Sequence, residues 1–494
     1  MNITFLKKIS TQATPVLIVY SDSSIEKNVF FKSFDAYDKE FLKSCAKKLP
    51  LTEGHIHSIF LPSGMSVIVV VITPRKKFTH RKALRTARRV IAYARGENIH
   101  TLAIHIKDFI ASTGVSLPYS EKVEALAVQF KIANFEFTTY KKEPKEGWKF
   151  IAEIQYIDTK KISTEIKRAL THGKVIGEEI NKTRKLSNIP GGDMTPQMLA
   201  TSARGAARGS DIKIKTLGSA EMKKLNMGGV LGVAQGSAEK PKFIIMEYMK
   251  GEKGDAPIVL VGKGVTFDTG GLNLKPSQGI YEMHMDMSGG ASVIHTIVAL
   301  ARLKVKKNIV GLIPAVENMP SGSSYRPGDQ LRTMSGKTIE VLDTDAEGRV
   351  ILADALEYAK KYKPELVIDV ATLTGAAVVA LGQRASALFT NDDKLEKTFR
   401  HAGEVTGDFV WPLPLWEEYE EEIKGTFGDV ANLGKYKGLG GAITAATFLW
   451  QFTKDIPQWV HLDIAPRMTA IEGDFLSKGS IGSGVYLLTY LLKK

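Results

Sequence analysis

The sequence predicts an α/β protein in which a smaller N-terminal α/β domain precedes a larger C-terminal α/β domain with a mixed central sheet. Three observations lead to this prediction. The chain has 494 residues, more than one ordinary hydrophobic core accommodates, so two domains are expected. Runs of β-branched residues alternate with segments of helical apolar spacing in both halves. No apolar run approaches the ~20 residues that a membrane-spanning helix needs, so no membrane partner is expected.

The N-terminal alternation is clearest from residues 66–73, a continuous β-branched run that predicts a buried strand. A helix is predicted over residues 81–95, because apolar residues recur there at helical spacing. The opposite face of this helix is basic and carries Arg81, Arg85, Arg88 and Arg89. The remaining elements predicted for this domain are a strand at 101–107, a helix at 120–130 and a loop at 141–149.

The second half alternates more regularly, and its charged segments directly follow predicted strands, where open α/β sheets place their ligands. A helix over residues 163–184 is predicted to link the halves, and Thr195-Pro196 to start another helix. Further strands are predicted at 257–262, 308–314, 338–342 and 366–371, and further helices at 289–304 and 347–362. We therefore predict an N-terminal domain over residues 1–160, a linker helix over 161–190 and a catalytic domain over 191–494.

The charge, the cysteine content and the first 20 residues together indicate the cellular compartment of the protein. The formal net charge is +14, and the chain up to Lys161 holds 26 Lys and Arg against 15 Asp and Glu. The single cysteine, Cys45, excludes an internal disulfide and fits a reducing compartment. The first 20 residues lack the apolar core and cleavage site of a secretory signal peptide. A cytoplasmic location is therefore expected.

The most informative feature is a concentration of charge in two short Gly-rich segments. One contains Lys263, Asp268 and Lys275 with Asp286 just beyond, and the other is the run 345–349, Asp-Ala-Glu-Gly-Arg. Four carboxylates in a small volume repel each other, and divalent cations between them remove that repulsion. Carboxylates are hard ligands that suit Mg, Mn or Zn, so the pattern predicts a two-metal hydrolase.

Other chemistries lack their motifs. Gly262-Lys263-Gly264 follows a strand, but a P-loop requires Ser or Thr after the lysine. The chain has neither the HExxH motif of single-zinc proteases nor the GxSxG turn of serine hydrolases. On spacing alone Lys263 is a salt-bridge partner; it can bind a metal only as the neutral amine.

These residues carry a resemblance to a known family. Residues 261–277 (VGKGVTFDTGGLNLKPS) resemble the first signature of the leucyl aminopeptidase (cytosol aminopeptidase, M17) family, and residues 343–349 (DTDAEGR) resemble its second, NTDAEGR. Agreement extends over residues 170–494. It includes 325–329 (YRPGD), 334–341 (MSGKTIEV), 371–375 (ATLTG) and 459–465 (WVHLDIA).

The resemblance implies two divalent metal ions in each subunit, Mn or Zn, with Mg or Co as alternatives. It implies that Asp268 and Glu347 bridge the metals, that Asp345 completes one site, and that Lys263 and Asp286 complete the other. Metals about 3.5–4 Å apart share a water and lower its pKa, giving a bridging hydroxide near neutral pH. The free α-amino group of a peptide would bind beside Lys263 and Asp286.

The resemblance also implies roles around the metals. Lys275 would polarise the scissile carbonyl, and Arg349 would hold a bicarbonate that acts as general base. A pocket for the first side chain, suited to Leu or another apolar residue, would be lined by Met283, Thr372, Gly375, Ala465 and Met468.

The chain departs from the family pattern at Asp343, at Pro466-Arg467 and at Pro190-Gly191-Gly192. Asp343 stands where Asn is usual, which adds an acid without removing a ligand, and we expect higher metal affinity or a shifted pH optimum. Pro466-Arg467 replaces a small apolar pair, and a cation near the pocket rim would alter selectivity.

The sequence thus predicts a metal-dependent aminopeptidase that removes N-terminal residues from short peptides. The resemblance implies a homohexamer, a dimer of trimers whose active sites face an inner cavity. A different class of function is DNA binding by the basic helix at 81–95, alone or as a second role. A solvated basic helix face is the simpler interpretation, so DNA is not favoured as a partner.

Overall fold

The protein folds into two compact units in a computed structural model that describes residues 1–49, 52–110, 113–157, 162–436 and 438–494. The first unit comprises Met1–Glu178 together with Ile471–Lys478, and the second comprises Glu179–Ala470 with Gly479–Lys494. The predicted boundary at residues 160 and 161 lies outside the described residues. None of the described helices is long and apolar enough to cross a membrane.

The first unit is built on a six-stranded sheet in the order β1-β6-β5-β2-β4-β3. Every neighbouring pair is parallel except β3 and β4, which form an antiparallel edge. Its strands are β1 (Asn2–Leu6), β2 (Thr14–Tyr20), β3 (Ile56–Phe60), β4 (Ser66–Ile72), β5 (Thr101–Ile104) and β6 (Glu153–Ile157). Its helices are α1 (Ala36–Lys48), α2 (His80–Gly96), α3 (Tyr119–Ala133) and the start of α4 (Thr164–Ser187).

Helix α2 shows why the sequence folds as it does here. The side chain of Thr79 accepts a hydrogen bond from the backbone N–H of Lys82, which caps the helix N-terminus. The apolar face buries Ala83, Leu84, Ala87, Val90, Ile91 and Ala94. Arg88 and Arg89 are half-buried, whereas Arg81 and Arg85 are exposed, so the basic face is not uniformly solvated.

The second unit is built on a mixed nine-stranded sheet in the order β16-β15-β18-β14-β9-β11-β8-β7, with β10 paired to β11. The centre of the sheet is parallel, because β18, β14, β9 and β11 run in one direction. Its strands are β7 (Lys213–Leu217), β8 (Lys242–Met249), β9 (Ile258–Gly262), β10 (Gly264–Asp268), β11 (Asn308–Asn318), β14 (Leu366–Ala371), β15 (Ser386–Phe389), β16 (Val410–Pro412) and β18 (Trp459–Asp463).

In the described part of this unit, a separate three-stranded sheet, the end of α4 and ten further helices complete the fold. The small sheet is β12 (Gln330–Arg332), β13 (Thr338–Glu340) and β17 (Val430–Ala431). The helices are α5 (Pro196–Ala207), α6 (Ser219–Lys224), α7 (Gly228–Val233), α8 (Ser277–Ile280), α9 (Ser288–Arg302), α10 (Glu347–Ala359), α11 (Gly375–Leu381), α12 (Asp393–Thr406), α13 (Gly441–Trp450) and α14 (Val485–Leu492). The predicted fold class, two α/β parts with a mixed sheet in the larger one, is confirmed.

Three details differ from the prediction. The strand predicted at 101–107 ends at Ile104, because a 3-10 turn begins at Ile106. The chain after β9 forms a further strand, β10, that the Gly-rich sequence did not indicate. The strand before the second charged segment, β13, belongs to the small sheet. Open α/β sheets place their ligands at the carboxyl ends of the strands. This rule therefore explains the position of the first charged segment but not that of the second.

Candidate metal centre

The two charged segments meet at one place in the second unit. Lys263 directly follows β9, and Asp268 is the last residue of β10. Asp286 follows a 3-10 turn that precedes α9, and Glu347 is the first residue of α10. Strand ends and helix starts therefore converge on a common point.

Three of the four predicted carboxylates form a tight buried group. Asp268, Asp286 and Glu347 are each at most 3% exposed, and each offers an oxygen within 4.8 Å of the others. Three carboxylates of like charge disfavour ionisation, and a cation among them reverses this. No other group of three His, Cys, Asp or Glu side chains comes together in this way among the described residues.

Lys263 lies against two members of this group. Its Nζ atom is 2.8 Å from Asp286 Oδ2 and 2.7 Å from Glu347 Oε1, and it donates a hydrogen bond of 3.0 Å to the carbonyl of Thr372. Burial lowers the pKa of Lys263, but the three carboxylates outweigh burial and hold this pKa above its usual value. The lysine is therefore an ammonium ion in the metal-free protein, so metal ligation requires it to lose a proton.

Gly348 provides the space for this lysine. A Cβ atom on residue 348 would lie 2.7 Å from both Cε and Nζ of Lys263. A side chain there would displace the ammonium from its carboxylate partners. The glycine of the second charged segment is thus required by the lysine of the first.

The donor set fits a hard divalent cation. Asp286 Oδ2 and Glu347 Oε1 are fully buried and within ion-pair distance of Lys263, yet neither accepts a well-oriented hydrogen bond from the described residues. Burial, reinforced by Glu347 and Asp268, raises the pKa of Asp286 well above its usual value. Buried oxygen atoms with unused lone pairs and disfavoured ionisation are what a divalent cation would satisfy.

Lys275 joins Asp345 to the group. Its Nζ atom lies 2.9 Å from Asp268 Oδ2 and donates a hydrogen bond to Asp345 Oδ1. Burial first, and then the charges of Glu347 and Asp268, raise the pKa of Asp345 to about 7. The same carboxylates raise the pKa of Lys275 against the effect of burial, so it also carries a full charge.

Asn318 is a residue of this centre that the sequence did not reveal. Its Nδ2 atom donates a hydrogen bond of 2.8 Å to Asp268 Oδ1, which also accepts one from the N–H of Gly270. Asn318 is fully buried at the end of β11, in register with Asp268 on β10. Asn318 ends a long apolar strand, and this is a signal that the sequence offers. Because no strand was predicted at β10, the pairing that brings Asn318 to Asp268 was not expected.

A reciprocal pair ties the two charged segments together. The N–H of Asn273 donates to Thr344 Oγ1 at 2.9 Å, and the N–H of Thr344 donates to Asn273 Oδ1 at 3.0 Å. Thr344 Oγ1 also donates a hydrogen bond of 2.6 Å to the carbonyl of Gly270. The loops that carry Lys275 and Asp345 are therefore held in one fixed arrangement.

Asn432 is the second missed residue. Its Oδ1 atom accepts hydrogen bonds from the N–H groups of Leu342 and Asp343, and its Nδ2 atom donates to the carbonyl of Asp343 at 2.6 Å. Its own carbonyl accepts a hydrogen bond of 2.9 Å from Arg349. Asn432 lies about ninety residues from this loop in the chain, so no local pattern marked it.

Asp343 shapes the loop without joining the metal group. Its Oδ1 atom accepts a hydrogen bond of 2.8 Å from the N–H of Asp345. An Asn at this position has the same acceptor, so the observed Asp preserves the turn. The effect predicted for its extra charge, on metal affinity or pH optimum, stays a prediction.

Arg349 is a buried cation with capacity for an anion. It is 5% exposed, and its Nε atom has no hydrogen-bond partner among the described residues. Burial lowers its pKa to about 10, although Glu347, Asp463 and Asp343 oppose this shift. A guanidinium that retains an unused N–H is suited to a small oxyanion.

The observed contacts connect only some of the residues that were predicted to line the pocket. The hydroxyl of Thr372 donates a hydrogen bond of 2.7 Å to Asp286, which places it at the metal group. Met283 begins the turn that packs against β10, and Gly375 begins α11, which packs against the turn formed by Ala465 to Arg467. Met468 directly follows that turn. A common cavity for these residues stays a prediction.

Arg467 is not a free cation at a rim. It is 6% exposed, and it donates a hydrogen bond of 2.9 Å to the carbonyl of Gln383. Its charge also lowers the pKa of the buried Asp408, against the larger raising effect of burial. Its role in this structure is internal.

Comparisons with known proteins identify the family of this chain. A sequence model described as the cytosol aminopeptidase family, catalytic domain, matches residues 181–489. A probable cytosol aminopeptidase from Aromatoleum aromaticum is 46% identical over 72% of this chain and 70% of its own length. A probable cytosol aminopeptidase from Rickettsia massiliae is 38% identical over 100% of this chain and 99% of its own length.

Solved structures align over almost the whole chain. The bottromycin maturation enzyme BotP in complex with Mn superposes with a TM-score of 0.83 at 30% identity, covering 98% of this chain and 99% of its own. The cytosol aminopeptidase from Coxiella burnetii superposes with a TM-score of 0.82 at 28% identity, covering 99% and 98%.

Proposed function

The chain belongs to the cytosol aminopeptidase family and is a metal-dependent aminopeptidase, and on this premise we propose that two divalent cations at Asp268 and Glu347 activate it toward short peptides with apolar N-terminal residues. The observation that carries the proposal is the buried group of three carboxylates, two of whose oxygens lack well-oriented hydrogen bonds. Lys263 and Lys275 offset only part of the negative charge of this group, and bound divalent cations would offset the rest.

Two of the proposed ligands would contact both cations, and the other three would each contact one cation only. Asp268 and Glu347 would bridge the cations, Asp345 would complete one site, and Lys263 with Asp286 would complete the other. Two such cations would supply Lewis-acid chemistry for activating a water molecule and the scissile carbonyl. Mn is supported by its presence in the BotP structure. Zn, Mg and Co are alternatives with the same hard-ligand chemistry.

Lys263 and Lys275 would have different tasks. Lys263 neutralises Asp286 and Glu347 in the metal-free protein, and it would give up its proton to act as a ligand. Lys275 is partly exposed and keeps its positive charge, so it can stabilise the oxyanion that develops on the scissile carbonyl. The free α-amino group of the peptide would lie beside Lys263 and Asp286, which explains a requirement for an unblocked N-terminus.

Arg349 would hold a bicarbonate that acts as general base. Its Nε atom is unused, and the carbonyl of Asn432 fixes the orientation of the guanidinium. The bound anion would accept the proton released from the attacking water.

Substrate choice and assembly extend the proposal. Met283, Thr372, Gly375, Ala465 and Met468 would line an apolar pocket for the first side chain, with Leu as the preferred residue. A homohexamer, a dimer of trimers, would enclose the active sites and restrict access to short peptides. A cytoplasmic location is supported by the cytosol aminopeptidase names of the relatives.

Hydrolysis of a leucine anilide tests the peptidase proposal. Protein stripped of metal should be inactive, and added Mn or Zn should restore cleavage of the free amine but not of its N-acetylated form. Glu347→Gln should reduce kcat/KM by about 100-fold or more and lower metal content, because it removes a bridging ligand. Glu357→Gln is the matched control, since Glu357 lies on the same helix and pairs with Lys360. Full activity in the Glu347 variant would exclude this metal assignment.

DNA binding by the N-terminal domain is the alternative, alone or as a second role. Its support is the exposed Arg81 and Arg85 on α2, which could contact phosphates. Salt-dependent retention on duplex DNA that is lost in an Arg85→Glu, Arg88→Glu, Arg89→Glu variant would support it. Absence of retention at low salt would exclude it.

A further inference from the structure

The first unit contains a cavity of about 400 Å³ beside helix α2. Its walls come from α2, from the end of β4 and from the segment 471–478, which belongs to this unit. The polar and aromatic side chains that line it include Glu53, Thr73, Lys82, Arg85, Arg89 and Phe475. The volume lies within the ~300–1,000 Å³ typical of small-molecule pockets.

The charge of this lining is predominantly positive. Three cations face one carboxylate, and only one of the cations is paired with it. Lys82 Nζ lies 3.4 Å from Glu53 Oε1 and donates a hydrogen bond of 3.0 Å to Thr73 Oγ1. Both Arg85 and Arg89 are left without a carboxylate partner among the described residues. The cavity therefore offers two guanidinium groups to a negatively charged ligand.

Of the two guanidinium groups, that of Arg89 has the fewer polar contacts with the protein. It is half-buried, and within the described residues its guanidinium makes neither a hydrogen bond nor an ion pair. Its CZ atom lies 5.7 Å from the ring centre of Phe475. Gly54, which has a φ of +97°, places no side chain in front of it, and a Cβ there would reach within 3.6 Å of the guanidinium. Burial, and then the charge of Arg85, lower the pKa of Arg89.

The segment 471–478 holds the aromatic wall in place. Arg85 Nε donates a hydrogen bond of 3.0 Å to the carbonyl of Gly473, and its CZ atom lies 5.3 Å from the ring centre of Phe475. Phe475 has a φ of +55°, a left-handed conformation that is costly for a bulky residue. The chain accepts this strain where it sets one aromatic ring against two arginines.

We propose that this cavity binds a small organic phosphate. Guanidinium groups match the oxygens of a phosphate and donate two hydrogen bonds in parallel to it. The volume exceeds the need of a single phosphate group, so it leaves room for an organic part beside Phe475. Nucleic acid fits less well, because the arginines line a recess of about 400 Å³ and a duplex backbone requires an extended surface.

Isothermal titration of the full-length protein provides the test. The probes are adenosine 5′-monophosphate, ribose 5-phosphate, inorganic phosphate, adenosine without phosphate and a 20-base-pair duplex. The variants are Arg89→Gln, Arg89→Lys and Arg81→Gln. Arg81 lies on the same helix outside the cavity lining, so its variant removes the same charge as a matched control.

The expected result is binding of the organic phosphates but not of adenosine. Arg89→Gln should weaken this binding by about ten-fold or more, since a charged hydrogen bond is lost, and Arg89→Lys should recover part of it. Arg81→Gln should bind as the unmodified protein does. Equal weakening by Arg81→Gln and Arg89→Gln, binding of the duplex alone, or unchanged affinity in Arg89→Gln would each overturn the proposal.

Discussion

The main-chain carbonyl of Asn432 accepts a hydrogen bond of 2.9 Å from the guanidinium of Arg349, while the Asn432 side chain holds the loop that begins at Leu342. One buried residue thus orients both the proposed anion-binding arginine and the loop that presents Asp345. Its position directly after β17 connects the small sheet to the metal group.

Replacing Asn432 with Ala should reduce catalysis as well as stability. The Asn432 side chain is buried and makes four hydrogen bonds, and their loss should lower the free energy of unfolding by about 2–3 kcal/mol. We expect kcat to fall by about 10–100-fold, with weaker dependence on added bicarbonate, because the loop and Arg349 lose their common support. Steady-state assays with and without bicarbonate measure this effect.

Asn134→Ala is the matched control. Asn134 also makes a reciprocal pair of hydrogen bonds with a backbone, that of Ile151 in the first unit. It should lose comparable stability and keep its bicarbonate dependence. If both variants lost activity equally, Asn432 would be a stabilising residue without a positioning role.

Gly348→Ala should separate metal binding from folding. The new Cβ would meet the flexible end of Lys263, so this side chain has to move while the backbone can stay in place. That movement takes Lys263 away from Asp286 and Glu347, and we expect metal affinity and kcat/KM to fall by about 10–100-fold. Metal content and thermal unfolding of the same preparation check both parts.

Gly205→Ala controls for the substitution itself. Gly205 lies within α5, and a Cβ there meets no atom within 4 Å. Ala should raise stability by roughly 0.5–1 kcal/mol and leave activity unchanged. Normal metal affinity in Gly348→Ala would show that Lys263 is not a ligand.

Metal affinity should depend steeply on pH near neutrality. In the metal-free protein the pKa of Asp345 is raised to about 7 and that of Asp286 lies well above its usual value. Ligation requires ionised carboxylates and a neutral Lys263, so binding releases protons and affinity rises with pH. Titration of Mn into metal-free protein at pH 6 and pH 8 should show clearly tighter binding at pH 8. Equal affinities, with no proton release, would contradict these ionisation states.

Asp354 should make the free energy of unfolding depend on pH. Its carboxylate is buried on α10 and accepts hydrogen bonds from the N–H groups of Val230 and Met334. Burial outweighs these bonds and raises its pKa from 3.8 to about 7. Between pH 3.8 and about pH 7 the carboxyl of Asp354 is therefore protonated in the folded protein and ionised in the unfolded chain. As pH rises through this range, the contribution of Asp354 to the free energy of unfolding decreases by about 1.4 kcal/mol per pH unit.

Chemical denaturation of metal-free protein from pH 4.5 to pH 7.5 checks this slope. The slope should be reduced in Asp354→Asn, which does not titrate. Asp211→Asn, which removes an exposed carboxylate paired with Lys250, should retain it. An unchanged slope in the Asp354 variant would show that this aspartate is ionised throughout.

The sequence predicted the alternation of strands and helices well because apolar periodicity directly reflects burial. Strand β14 was predicted with its observed ends, and α2 and α9 to within two residues at either end. The membership in the cytosol aminopeptidase family that the two motifs indicated is confirmed. Three of the predicted acidic ligands were indeed brought together, and Lys263 lies between two of them.

The supporting residues could not be predicted because their partners are distant in the chain. Asn318 meets Asp268 only through the pairing of β10 with β11, and the Gly-rich sequence of β10 gives no strand pattern. Asn432 acts through a three-stranded sheet whose short strands have no clear periodicity. Phe475 lies in a segment that belongs to the first unit although it is flanked by the second.

The exchange of hydrogen bonds between Asn273 and Thr344 makes the two signature loops a single cooperative element. We expect the two loops to open together, and their backbone amides should then exchange with solvent at one common rate. A cation that ligates either loop would slow that exchange in both. An insertion in either loop would break the two hydrogen bonds that join it to the other, and so would disturb the positions of Lys275 and Asp345 together.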